Sequence, residues 1–262
     1  MKPSPLYKNI HTEGVILDSS NTATYKGVAF KTMLFLVANI VGALAAYFTL
    51  YNLIENNATP ELGVYLAFMI TASMASLIFG LIGRFAPRTA KVVGFIYSLS
   101  IGFLLGSITS IVDHYIIRYA GVICVLGTLI IYGVVLLLFA TGVIKNSNIF
   151  RSILFGVLIG GLLLAIFTMV FGFIMRAENL KGNLGWGISA YLGLCIALES
   201  FLLLYGVITL TLNFSEAQAV VQQGAPKDSE WSVALGMEIS LVYIYVELLR
   251  LLVLIASLVD RK

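Results

Sequence analysis

Seven mostly apolar runs, each long enough to cross a bilayer, constrain this chain more than any other feature. They are Met33–Ile54, Leu62–Gly83, Val92–Val112, Gly121–Ile144, Ser152–Met175, Trp186–Leu212 and Val233–Leu258. A helix needs roughly 20 apolar residues to span the hydrocarbon. Charged or polar stretches separate the runs, from Glu55-Asn56-Asn57 to the segment between Gln222 and Glu230. Helix is the conformation each run must take, because a backbone in lipid has to satisfy its own hydrogen bonds and none of the runs alternates as a barrel strand does. Composition agrees: 60% of the residues are hydrophobic and 11% charged, against about 45–50% and about 25% in soluble domains. The fold class expected is therefore an all-α membrane protein of seven spans, with residues 1–32 as a polar tail and 33–262 as the transmembrane domain.

Charge placement orients the chain. With the amino terminus inside, ten basic residues, from Lys2 to Lys227, fall in inner segments and five, Arg118, Arg176, Lys181, Arg261 and Lys262, in outer ones. The excess of Lys and Arg marks the cytoplasmic side. This predicts a cytoplasmic amino terminus and an outside carboxyl terminus. The tail contains no apolar core of a secretory signal.

Several classes of chemistry lack their residues. No basic run with interleaved aromatics suggests nucleic acid. His11 and His114 lie outside the spans, so no His-Glu-x-x-His metal site can form. Neither a Gly-x-Ser-x-Gly elbow nor a phosphate-cradling glycine loop is present, and no aspartate falls well inside a span. No enzyme activity is expected. Cys124 and Cys195 lie within apolar runs and are taken as small buried hydrophobes. Gly102-x-x-x-Gly106 and Gly156-x-x-x-Gly160 place small residues one turn apart, which suits close helix packing within the bundle.

Three ionisable residues fall deep in the runs: Glu199 in the sixth, Glu247 and Arg250 in the seventh. Such residues are expensive in lipid and usually face the bundle interior or a water-filled path. Along the seventh span, Ser240, Tyr243, Glu247 and Arg250 fall within a sector of about 80° at 100° per residue. Glu238 points to the opposite side and is given no part. Glu247 and Arg250 stand three residues apart, close enough to pair, either as a simple insertion pair or as one setting of a switch. Glu199 shares a face with Gly206 and Asn213, the last about 21 Å along the axis. It is either a hydrogen-bonded structural acid or part of a pathway.

The carboxyl third resembles a known family. Leu212-Asn213-Phe214-Ser215-Glu216, Gly224-Ala225-Pro226-Lys227, Glu230-Trp231 and the run from Tyr243 to Leu252 are similar to the Bax inhibitor-1/YccA family, in particular to bacterial members with a Gly-Ala-Pro loop before the last span. Weaker likeness extends to Tyr25–Val28, Gly102–Gly106 and Gly127-Thr128. The resemblance implies a seven-helix bundle with the last helix central, in the plasma membrane, and a pH-sensitive cation leak with Ca2+ as the carried ion rather than a cofactor. A membrane-protein partner is the alternative, in a non-conducting regulatory role, and secondary transport comes third. In family members that leak calcium, an acid late in the sixth helix and one in the seventh set open or closed. The seventh-helix acid is here Glu247, with Arg250 one turn on. For the sixth-helix partner, one register puts Asn213 and Ser215 where relatives have aspartates and breaks the pair, whereas another keeps it as Glu216–Glu247. Ile101 stands where many relatives have a third-span glutamate.

Overall fold

The computed structural model describes residues 22–55, 59–140, 147–179 and 185–259. Among these, seven long helices follow one another: α1 Tyr25–Glu55, α2 Thr59–Phe85, α3 Ala90–Tyr115, α4 Ala120–Ala140, α5 Ser147–Asn179, α6 Gly185–Gln222 and α7 Ser229–Val259. One short 3-10 turn, Pro87–Thr89, joins α2 to α3. Six of the helices carry stretches long and apolar enough to cross a membrane, and α5 carries an apolar stretch at Phe155–Val170. Side chains such as Phe30, Ile70, Ile130, Leu163 and Met169 are 62–78% exposed. That much bare hydrocarbon is tolerable only against acyl chains.

Two helices, α1 and α6, run furthest past their apolar stretches. Residues 1–21 of the expected tail lie outside the described residues, but α1 starts at Tyr25, eight residues before Met33. Hydropathy reports where lipid begins, whereas a helix begins where its first amides are capped. Thr24 does this: its Oγ1 accepts a 3.0 Å bond from the amide of Gly27. Likewise α6 continues past Leu212 to Gln222, so Asn213 and Glu216 are helical. It ends in a Schellman motif, with the amide of Ala225 on the carbonyl of Val220 (3.1 Å) and that of Gly224 on Val221 (3.2 Å). Gly224 has φ 62°, the left-handed conformation this cap requires.

The chain forms two compact units. The first comprises Met1–Ile108 with Asn213–Ile239, and the second Thr109–Leu212 with Ser240–Lys262. In the first, Phe35, Ala90, Tyr97, Ala234 and Leu235 form a buried core, with Trp231 and Phe95 packed on it. The Gly-Ala-Pro loop is tied to the start of α1: Ala23 donates its amide to the carbonyl of Ala225 at 2.8 Å, and Thr22 pairs with Pro226. In the second unit, Val112, Ala120, Cys124 and Leu249 form the core. Cys124 is thus a core residue, and Cys195 is half-buried and free.

The two glycine motifs behave differently. A methyl group on Gly102 or Gly106 would strike the carbonyl oxygen of Asn39 or Ala43, and Gly42 returns the contact against Leu99. There α3 and α1 meet backbone to backbone. A methyl group on Gly160 would lie 3.4 Å from the Phe201 ring, but one on Gly156 would meet nothing within 4 Å among the described residues. The packing expected of both motifs therefore holds closely for the first and not at Gly156. Gly156→Ala is accordingly expected to be neutral or to stabilise the protein by up to about 1 kcal/mol, through helix propensity alone. Thermal unfolding in detergent checks this, and a clear loss would show that something packs there.

Candidate functional site

The polar stripe of the last helix becomes a site when α6 is laid beside it. In the second unit, Nη1 of Arg250 lies 3.6 Å from Oε2 of Glu247 and 3.7 Å from Oε1 of Glu199. The first contact is the i,i+3 pair that helical spacing dictates. The second joins α7 to α6. Both are charge contacts longer than a good hydrogen bond. The Glu247 and Glu199 side chains are 3% and 11% exposed, whereas that of Arg250 is 56% exposed. The two carboxyl groups also lie within interaction range of each other, and Tyr243 reaches Glu247 with its hydroxyl. Tyr243 stacks edge-on against Tyr205 of α6, ring centroids 5.8 Å apart. The room for this comes from Gly206, where a methyl group would meet the Tyr243 ring at 2.8 Å. One guanidinium thus serves two buried carboxyl groups. With both ionised the trio carries one uncompensated negative charge, and a single proton removes it.

Glu199, Tyr243, Glu247 and Arg250 are therefore brought together, and the residue that shares Arg250 with Glu247 is Glu199. Ser240 is 2% exposed. Asn213 belongs to the first unit, where its Nδ2 donates a 2.8 Å bond to the carbonyl of Gly236. Glu216 is half-buried in the same unit, one turn past Asn213.

Two further polar clusters escaped sequence reasoning, and both lie in the first unit. Glu230 is 0% exposed. Its Oε2 lies 2.9 Å from Nζ of Lys31, and its Oε1 accepts the amide of Thr24 at 2.7 Å. Lys31 also donates to the carbonyl of Lys227 at 2.9 Å and lies 4.7 Å from the centroid of the Trp231 ring, with Lys91 at 5.6 Å from the same ring. Gly27 leaves the space that the Glu230 carboxylate fills. The second cluster corrects the reading of Glu238 as a residue without a part. It is 0% exposed, and its Oε2 lies 2.7 Å from Oγ of Ser98 in α3. A carboxyl group inside an apolar run is itself the signal, since it persists only where a partner is built for it.

Comparison with curated proteins and with solved structures finds no match to this chain. A family model does match, over nearly the whole length. That match, with the apolar helices described above, makes the protein a multi-pass integral membrane protein. Across residues 5–257 the chain fits the family described as Bax inhibitor 1 like, and it belongs to that family.

Proposed function

We propose that this protein is a pH-sensitive cation leak channel of the plasma membrane, with Ca2+ as the carried ion, and that its closed state is held by Arg250 between Glu199 and Glu247. The observation that carries this reading is the sharing of one guanidinium by two buried carboxyl groups on two helices. An ionised carboxylate is attracted to Arg250, and a protonated one is not. Protonation of the pair therefore loosens the tie between α6 and α7. In this reading the last helix is the central element, supported by the burial of Leu235, Met237, Glu238, Ser240, Ile244 and Glu247 along it. The amino terminus lies on the cytoplasmic side and the carboxyl terminus outside, as the basic residues suggest.

Calcium flux into liposomes holding the purified protein tests this. Wild type is expected to leak faster at about pH 6 than at about pH 8, because the tie needs an ionised carboxylate. Glu199→Gln and Arg250→Leu, which each remove the contact between α7 and α6, are expected to leak about fivefold faster than wild type at the higher pH, the effect of losing a tie of about 1 kcal/mol. Both are expected to lose most of the pH dependence. Equal flux in all three, or none above empty liposomes, removes the channel reading.

A further inference from the structure

Hydrogen counting at Ser98 assigns a protonation state to Glu238. Oγ of Ser98 lies 2.7 Å from the carbonyl oxygen of Gly94 and 2.7 Å from Oε2 of Glu238. Both are short oxygen–oxygen distances of hydrogen-bond length, but a hydroxyl owns one hydrogen. The bond back to the i−4 carbonyl is the usual one for serine inside a helix, and a carbonyl oxygen has no hydrogen to return. The hydrogen in the second contact then comes from the carboxyl group.

The surroundings agree. Glu238 and Ser98 are both 0% exposed, and the Asn39 side chain of α1 lies within hydrogen-bonding range of the Glu238 carboxyl. The polar groups that face the carboxyl are Tyr97 and Ser98 of α3 and Asn39 of α1, none of them charged. Among the described residues no cation pairs with Glu238. An ionised carboxylate there would be left uncompensated, at a cost of several kcal/mol.

We propose that Glu238 is a proton-binding site within the first unit, holding a dissociable proton that it donates to Ser98, and that release of this proton leaves a buried charge that destabilises the folded unit. It is built from residues other than Glu199, Glu247 and Arg250 and does not depend on the channel reading. When the O–H bond of the acid breaks, the proton leaves to water and a carboxylate remains. Ser98 can meet that charge only by turning its single hydrogen from Gly94 to Glu238, which leaves the Gly94 carbonyl without it. The two states therefore differ in which bond Ser98 makes.

Infrared spectroscopy of the full-length protein in bilayers near neutral pH tests the assignment. The difference spectrum between wild type and Glu238→Gln is expected to contain a protonated-carboxyl C=O band that moves to lower frequency in D2O. In Ser98→Ala the band should persist but move to higher frequency, because its acceptor is gone. Only carboxylate bands in the difference spectrum, or a carboxylate band sensitive to Na+, would overturn the assignment. If Glu238→Gln fails to fold, wild type minus Ser98→Ala carries the test: a shifted C=O pair supports the proposal, and its absence overturns it. Thermal unfolding gives a second readout. Gln mimics the neutral acid, so the stability gap between Glu238→Gln and wild type should widen as pH rises, because the folded protein holds a proton that the unfolded chain releases. A gap that stays flat with pH counts against the proton.

Discussion

Lys31→Met is expected to destabilise the protein by about 3–5 kcal/mol, the loss that follows when one partner of a buried ion pair is removed. Methionine keeps the length and most of the volume of the lysine stem, so packing changes little. What goes is the charge 2.9 Å from the carboxylate of Glu230, together with the bond from Lys31 to the carbonyl of Lys227. Glu230 is 0% exposed, and it then keeps the amide and hydroxyl of Thr24 as donors, at 2.7 and 3.3 Å. The same substitution removes the nearer of two cations over the ring of Trp231, which packs on Phe35 in the core of the first unit. Adding Glu230→Gln to Lys31→Met should recover much of the loss, because it removes the stranded charge and leaves an acceptor for Thr24. Unfolding in mild detergent, followed by helicity or by half-life at fixed temperature, measures both. A loss below about 1 kcal/mol, the worth of an exposed pair, would show that this is not a buried tie.

Gly102→Val and Gly106→Val are expected to cost about 1–3 kcal/mol each. The obstacle in both cases is a backbone carbonyl, of Asn39 or of Ala43, which cannot turn aside as a side chain would. Helix α1 has to back away as a whole and give up its contacts along α3. Membrane helices associate through close van der Waals contact, since lipid supplies no hydrophobic drive between them. Once α1 has moved for one substitution the second meets less resistance, so the double variant should lose less than the sum of the singles. Strict additivity would mean that the two glycines report on separate contacts. Gly156→Ala serves as the control, at a position open to its surroundings.

The pairing of Glu247 with Arg250 is legible in the sequence because three residues on a helix always bring side chains together. That Arg250 also reaches Glu199 is not, because a register read from residue types bears on which positions correspond, not on which side chains meet. Motif similarity points to Asn213 and Glu216 as alternatives, and it is likewise silent on the bond that the Asn213 amide makes to the carbonyl of Gly236. Helical geometry turns Glu238 away from the stripe, a sound reading of its direction that carries no information about Ser98 lying there.

What the amino-acid order determined alone is the number and place of the apolar runs and the angular positions of residues around each helix, because lipid enforces helix and helix geometry is local. Tertiary structure alone decided which faces meet. Thr24 and Glu230 are 206 residues apart and Ser98 and Glu238 are 140 apart. No periodicity links positions so distant, and their contact depends on how far each helix is rotated and how closely glycines let the backbones approach. The same packing decides what the first turns of α1 meet, with Lys31 paired to Glu230 at the start of α7.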